Sequence, residues 1–323
     1  MGAGRLAETA AWAVAGAAGA VALTQAAGRT PTPLAAVGQA LTPALAAATL
    51  PALGIGIVRG RGGLVGLAAA GGCGLAAVIA PAIRRSRPGA VRAVAASTLS
   101  IAHANLLFTN ERRAGDAARH LFGLGADVLA LSEFTHHHAR VLASTAGAER
   151  YVHRFSEPHE GPQGIAVWST VPLHDVVTQP LTRRPGVVAE VGAPWGRVRL
   201  VLAHPDPPTE WRWLVNWDPS LRMIHAVASA PGPPTVIVAD LNACRWHPPL
   251  RQLLARGWRD AHEQAGRGLS VSWPVGRLVR PFVRLDHALI GAELDVVAVT
   301  DSNVPGSDHR GFMVTVAPTS TKA

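Results

Sequence analysis

The sequence predicts an α/β domain preceded by an apolar helical segment, and three observations carry this reading. The first 92 of the 323 residues are dominated by Ala, Gly, Leu, Val and Pro, whereas the remainder holds nearly all the acidic residues, histidines and tryptophans. Three charge-free apolar stretches lie before residue 84. From Val94 onward, short β-branched runs alternate with helical patterns and turn residues, as in mixed α/β structure. A chain of this length has room for an anchor and one domain of ordinary size. The composition break divides it into residues 1–92 and 93–323.

The apolar stretches are Thr9–Ala27, Pro33–Val58 and Gly63–Ile83, each near the ~20 residues that a helix needs to cross a bilayer core. Their separators, Gly28–Thr32 and Arg59–Gly62, are short and polar or Gly-containing. Pro43 and Pro51 are expected to kink the second stretch, which neighbouring helices tolerate. Gly16 and Gly19 are candidates for close helix packing. Three transmembrane helices, and hence a multi-pass protein of the cell membrane, follow from this reading. A cleaved signal peptide, or buried helices of a soluble domain, accounts less well for three consecutive charge-free runs. Three spans put the two ends on opposite sides, and the Arg84–Arg92 cluster slightly favours a cytoplasmic C-terminal domain.

The net charge of +9 is unevenly placed. Residues 1–92 hold eight Arg and one Glu, leaving 22 basic and 20 acidic residues, a net of +2, for the rest. That balance does not describe a domain built to track nucleic-acid phosphates. Cys73 and Cys244 form neither a disulfide framework nor a metal-binding spacing.

Expected strands are Thr98–Ala102, Asp127–Ser132, Gly164–Trp168, Arg197–Ala203, Thr235–Ala239, Val283–Ile290 and Phe312–Val316. Asn105, Glu133, His204 and the pair Asp240 and Asn242 follow such runs, where α/β domains usually gather reactive groups. Together they suit hydrolysis of a phosphate ester. That chemistry needs hard oxygen ligands for Mg²⁺, a group that prepares water, and donors that meet charge on the phosphoryl oxygens. Glu133 is the natural metal carboxylate, with Asn105 and Asp308 as further candidate ligands. Asp240 and Asn242 can orient the attacking water. His309 can contact the phosphoryl group, with Asp286 fixing its tautomer, and His204 is a candidate phosphate contact or leaving-group donor.

Taken singly, each residue has a plain alternative as a turn or cap residue. As an ordered set they resemble the endonuclease/exonuclease/phosphatase superfamily. The series is Asn105, Leu131-Ser132-Glu133, Gly164-Ile165-Ala166-Val167, His204, Ala239-Asp240-Leu241-Asn242, Leu285-Asp286-His287 and Ser307-Asp308-His309, and it covers about residues 94–318. The resemblance implies a two-sheet α/β sandwich flanked by helices, the roles just given, and Mg²⁺ or Mn²⁺ as cofactor. Ala239-Asp240-Leu241-Asn242 departs from the family's usual Gly-Asp-Phe-Asn. His204-Pro205, His247-Pro248-Pro249, Gly257-Trp258-Arg259-Asp260-Ala261 and Ser272-Trp273-Pro274 look like a membrane-anchored bacterial branch that includes glycopeptide-resistance-associated proteins. That branch implies a catalytic domain outside the cytoplasmic membrane acting on lipid-linked phosphates, against the charge comparison above.

His136-His137-His138 are expected to be surface histidines at a helix or turn start rather than a metal site, because successive residues point in different directions. Trp211, Trp213 and Trp217 suit a membrane surface, a domain core or a substrate-side wall, and Trp273 and Phe282 flank a loop that can cover substrate. The leading expectation is a membrane-anchored phosphohydrolase whose partner is a phosphorylated, lipid-linked substrate such as a polyprenyl diphosphate or a phospholipid. A membrane-tethered nuclease would need a basic groove, and a non-catalytic binding module would have no need of all these residues.

Overall fold

The computed structural model describes residues 2–85, 97–181, 183–276 and 278–319. The expected boundary at residue 92 and the side chains of the Arg84–Arg92 cluster lie outside the described residues. Among the described residues the strands are, in chain order, β1 (Leu99–Asn105), β2 (Val128–Ser132), β3 (His153–Glu157), β4 (Ile165–Ser169), β5 (Leu173–Leu181), β6 (Arg184–Ala193), β7 (Gly196–Ala203), β8 (Thr235–Asp240), β9 (Arg259–Asp260), β10 (Asp286–Ile290), β11 (Leu294–Asn303) and β12 (Arg310–Pro318). The helices are α1 (Ala3–Ala26), α2 (Pro33–Ala40), α3 (Thr42–Val58), α4 (Gly62–Arg85), α5 (Ala114–Gly123), α6 (His136–Ser144), α7 (Trp211–Ala228), α8 (Pro248–Ala255) and α9 (Ala261–Gln264).

Two six-stranded mixed sheets face each other, in the orders β11-β12-β1-β2-β4-β3 and β5-β6-β7-β8-β10-β9. Each contains one parallel pair, β1 with β2 and β7 with β8, among antiparallel neighbours. Strand alternation explains the layering, since residues two apart share a face. Leu99 and Ile101, Val128 and Ala130, Leu200 and Leu202, Val236 and Val238, and Ala288 and Ile290 fill the core between the sheets. The alternate residues Ala102, Ala104, Leu129 and Leu131 pack outward under α5 and α6. Val201, Ile237, Ala239 and Leu289 pack outward under α7 and α8.

The expected strand Val283–Ile290 begins only at Asp286. Val283 instead bridges Trp273, and the Ser272 hydroxyl accepts the Leu285 N–H at 2.9 Å, so the chain joins the sheet later. β3, β5, β6, β9 and β11 were not anticipated. The pair β5 and β6 carries Pro180, Pro185 and Gly186 and leaves much of β5 exposed, which hides its alternation.

At the N-terminus, α1 and residues Gly62–Ile83 of α4 are each long and apolar enough to cross a membrane. The expected span Pro33–Val58 is two helices bent by 75°, so the break falls at Leu41 rather than as a kink at Pro43 and Pro51. Pro43 lies in the first turn of α3 and Pro51 within it, positions where the missing N–H costs little or is absorbed by packing. Close approach of α1 and α4 occurs at Gly19 and Gly71: a Cβ on Gly71 would lie 2.9 Å from the Gly19 nitrogen. Gly16 faces open space.

The apolar helices dock on the α/β domain. Gln25 Nε2 donates to the Trp246 carbonyl at 2.8 Å, and Arg251 Nη2 donates to the Gln25 carbonyl at 3.1 Å. His247 Nδ1 accepts the Cys244 N–H at 2.8 Å, which leaves its Nε2–H to donate to the Ala36 carbonyl at 2.9 Å. Ala82, Val78 and Ile79 of α4 and Ala40 of α2 pack with Cys244, Trp246, Trp273, Val283 and Leu285.

Candidate active site

The alternation that builds the inter-sheet core also builds the site. Inward positions continue past the apolar residues to His103 and Asn105 on β1, to His204 just after β7, to Asp240 at the end of β8 and to Asp286 at the start of β10. All five therefore enter one edge of the space between the sheets. The ends of both parallel pairs meet there, the usual position for sites in α/β sheets.

Asn105 ties the two sheets together. Its Nδ2 donates to Glu133 Oε1 and to Asp240 Oδ2, both at 3.0 Å, and its Oδ1 accepts the Leu107 N–H at 2.9 Å. Phe108 N–H donates to Glu133 Oε2 at 2.9 Å. Asn242 N–H donates to Asp240 Oδ1 at 3.0 Å, and Asn242 Nδ2 donates to the Pro205 carbonyl at 3.0 Å. Leu107, Glu133 and Asn242 all have positive φ, at 58°, 55° and 48°. Such left-handed backbone in non-glycine residues costs energy and concentrates at functional sites. The neighbouring Gly164 is obligatory, because a Cβ there would lie 1.9 Å from the Phe134 carbonyl oxygen. Phe134 N–H donates to the Gly164 carbonyl at 3.0 Å, so this contact sets the turn that presents Glu133.

On the other side, Asp286 Oδ2 lies 2.8 Å from His309 Nδ1, and Asp286 Oδ1 stands 3.3 Å from His103 Nε2. His309 N–H donates to the Ser307 hydroxyl, which in turn donates to the Asn105 carbonyl at 2.7 Å. Asp308 points to a different neighbour, its Oδ2 accepting from Trp273 Nε1 at 3.3 Å. The structure thus joins Asn105, Glu133, Asp240, Asn242, Asp286 and His309 in one hydrogen-bonded cluster, with His204 Nε2 3.5 Å from Asp240 Oδ2. Asp308 flanks it through its own chain neighbours.

The electrostatics separate these groups. Burial raises the Glu133 carboxyl above its usual range, and the Asp240 charge adds to the effect. Asp240 is also raised by burial, with Asp286 adding to it and His309 opposing. Burial works against charge on His309, yet the carboxylates of Asp286 and Asp240 push it up to about 10. Asp286 is held well below the carboxylate range, because the His309 charge overcomes its burial. Burial and then the Arg184 guanidinium hold His204 well below the usual histidine value, so it is neutral.

Three residues escaped the sequence reading. His103 sits fully buried between the Ala130 carbonyl, at 3.1 Å, and Asp286. Arg184 Nη1 lies 3.0 Å from His204 Nδ1, while Arg184 Nε pairs with Asp206 Oδ1 at 2.6 Å. The available signal was a histidine at an inward position of an apolar strand; Arg184, which opens β6, and Asp206, which follows β7, offer none in the sequence. The histidine run opens α6 as expected, but its histidines are not all at the surface: His136 is exposed, His137 Nε2 meets the Glu111 carbonyl, and His138 is buried, forming a capping box with Thr135. Among the tryptophans, Trp217 is core, donating to the Leu241 carbonyl behind Asn242 at 3.1 Å, whereas Trp211 is exposed.

A divalent cation fits this donor set. Two buried carboxylates share the amide of Asn105, both destabilised as anions, and a hard cation prefers such oxygen ligands. Ligand atoms of Asp240, Asp286 and His309 also lie within 4.8 Å of one another. There the imidazole Nδ1 faces Asp286 at 2.8 Å and the group is cationic.

No curated protein matches the sequence. In fold, the chain is similar to an endonuclease/exonuclease/phosphatase from Beutenbergia cavernae, at 21% identity and TM-score 0.56 over 69% of this chain and 72% of that one. It is similar to D. rerio TDP2 solved with a single-strand DNA product, at 19% identity and TM-score 0.58 over 68% and 99%. A functionally unknown conserved protein from Enterococcus faecalis is 13% identical, with TM-score 0.56 over 68% and 100%. The model of the endonuclease/exonuclease/phosphatase family matches residues 102–309, whose members are generally metal-dependent hydrolases of phosphate esters. That match spans β1 to His309, and with the two-sheet fold it makes this chain a member of the endonuclease/exonuclease/phosphatase family.

Proposed function

We propose that this protein is a membrane-anchored phosphohydrolase, dependent on Mg²⁺ or Mn²⁺, that cleaves phosphate esters or anhydrides of lipid-linked substrates. The observation that carries the reading is the single cluster in which Asn105 bridges Glu133 and Asp240 while Asp286 holds His309. The docking of α2 and α4 on the loops around Trp246 and Trp273 supports a substrate presented at a membrane. The resemblance to the membrane-anchored bacterial branch favours an extracytoplasmic catalytic domain.

Glu133 would hold the cation, with Asn105 orienting its carboxylate and Asp308 beside it. When bound, the cation supplies Lewis-acid neutralisation of phosphoryl charge. Asp240, raised in proton affinity by burial, accepts the proton of the attacking water as its oxygen bonds to phosphorus. Asn242, fixed against the Pro205 carbonyl, positions that water. His309 carries its charge toward the phosphoryl oxygens, and Asp286 fixes its orientation. The bond from phosphorus to the leaving oxygen then breaks. His204 is neutral and serves as a hydrogen-bonding contact beside Asp240, rather than as a resident acid.

The test is phosphate release from a polyprenyl diphosphate by the full chain in detergent, with and without Mg²⁺, alongside Glu133→Ala. Metal-dependent release that is lost in the variant is the expected result. The nuclease reading has one specific observation behind it, the fold likeness to D. rerio TDP2 solved with single-strand DNA. A plasmid-nicking assay run in parallel decides: Mg²⁺-dependent nicking without phosphate release would replace the lipid-phosphate reading.

A further inference from the structure

The segment between Trp273 and Asp286 exposes large apolar side chains and touches Asp308, which flanks the site. Leu278 is fully exposed, Val279 is 59% exposed and Phe282 44% exposed, with the exposed Arg280 among them. A run of this kind on a soluble face costs solvation energy and marks a contact surface. The segment is tied at both ends to groups already described. Val275 N–H donates to the Asp308 carbonyl at 2.7 Å, and the Phe282 ring lies 6.0 Å from that of Trp273, whose indole reaches Asp308. Trp273 and Val283 in turn pack against Val78, Ile79 and Ala82 near the end of α4 and against Ala40 of α2. α2, bent by 75° from α3, presents Leu34 and Val37, 81% and 47% exposed. Two exposed apolar elements thus adjoin the same end of the apolar helices, one of them reaching the catalytic loop.

We propose that the Leu278–Phe282 segment is a membrane-contact loop: it enters the headgroup and upper acyl region of the bilayer that holds α1 and α4, with Arg280 toward anionic headgroups. An apolar face with interleaved basic charge suits that boundary, where apolar burial and attraction to anionic lipid add. The consequence is that the site mouth is held against the membrane surface, with Asp308 connected to the inserted segment through Trp273. This inference rests on the membrane anchorage proposed above.

The test uses the full chain in nanodiscs of phosphatidylcholine and phosphatidylglycerol containing spin-labelled lipid. Cys73 lies exposed on α4, so a fluorophore there reports whether the anchor is in lipid. Cys244 is buried, and burial pushes its thiol up to about 12, so it stays unlabelled. The loop is read with the same fluorophore in a Cys73→Ala, Leu278→Cys protein; the fully exposed Leu278 makes this a mild substitution. The expected result is blue-shifted emission from position 278, quenched by the spin-labelled lipid as the Cys73 label is. If the Cys73 label is quenched by lipid and the 278 label only by aqueous iodide, the loop proposal falls and the anchorage stands. If the Cys73 label escapes the lipid quencher, the anchorage is wrong and the loop proposal falls with it.

Discussion

Asp286 and His287 are adjacent on β10 and belong to two different networks on opposite faces of the same sheet. Asp286 faces the inter-sheet edge, where His309 and His103 flank it, the His309 side chain keeps some exposed surface and the nearby Asn242 is half-buried. His287 faces outward into a sealed pocket, its Nδ1 2.9 Å from Asp260 Oδ2, while Arg284 Nη1 lies 2.9 Å from both Asp260 oxygens. Asp260 and His287 have no exposed side-chain surface. The residue types are nearly the same, an aspartate paired with a histidine and a second cation-capable group. The difference is access: a carboxylate–imidazole pair at the sheet edge can meet a substrate, whereas the same pair beside α9 and the 243–247 loop, with no exposed side-chain surface, can only hold structure.

Substitutions that act on one face alone test this contrast. The largest expected effect is at the open face: Asp240→Asn should lower phosphate release by about 10²–10⁴-fold, the typical worth of a positioned general base, with the thermal midpoint little changed. Asp286→Asn should follow with about 10²-fold, because His309 loses the partner that orients and charges it. If Asp286→Asn instead unfolded the protein and kept its turnover, the two faces would not differ in kind. In the sealed network, Asp260→Asn should cost about 3–5 kcal/mol of stability, since it leaves Arg284 buried without its counter-ion. Thermal unfolding in detergent would measure that loss, while turnover per folded molecule should persist.

The pH dependence sharpens the same comparison. Although burial raises it, Arg284 and His287 hold the Asp260 carboxyl well below its unfolded value. Its contribution to stability is therefore complete above about pH 4, the unfolded aspartate range, and is lost as pH falls further. The stability gap between wild type and Asp260→Asn should stay constant from neutral pH to about pH 5 and narrow below about pH 4, which unfolding midpoints across that range would reveal. The smallest effect is expected at the contact between α1 and the Trp246 loop, where Gln25→Leu removes the donor to the buried Trp246 carbonyl. A loss of about 1–2 kcal/mol in thermal stability should result, with both networks untouched.

The candidate site was legible largely because its residues follow strands, and a strand end is a local feature. Glu133 after Val128–Ser132, and Asp240 with Asn242 after the Thr235 run, need only β propensity and a turn to be noticed. The period of two even sorts Asp240 and Asp286 to one face and His287 to the other. Legibility failed where the signal depended on a partner. Arg184 and Asp206 are ordinary surface types until each is buried against the other beside His204. The edge strand β5 carries Pro180 and has β6 as its sheet neighbour, and β6 has Pro185 and Gly186 near its start before pairing with β7. α2 reads as part of one apolar stretch, and its break at Leu41 makes sense only once Ala36 and Ala40 are seen against His247 and Trp273.

The sequence by itself therefore determined an apolar helical N-terminus, an α/β domain and the chemical identity of the groups at its strand ends. These depend on side-chain patterns within a few residues of one another. Only the tertiary structure decided which of those groups meet. Asn105 reaches Asp240 across 135 positions and Gln25 reaches Trp246 across 221. Contacts of that separation arise from how two sheets pack face to face and how the helices dock on them, and no local pattern encodes that packing.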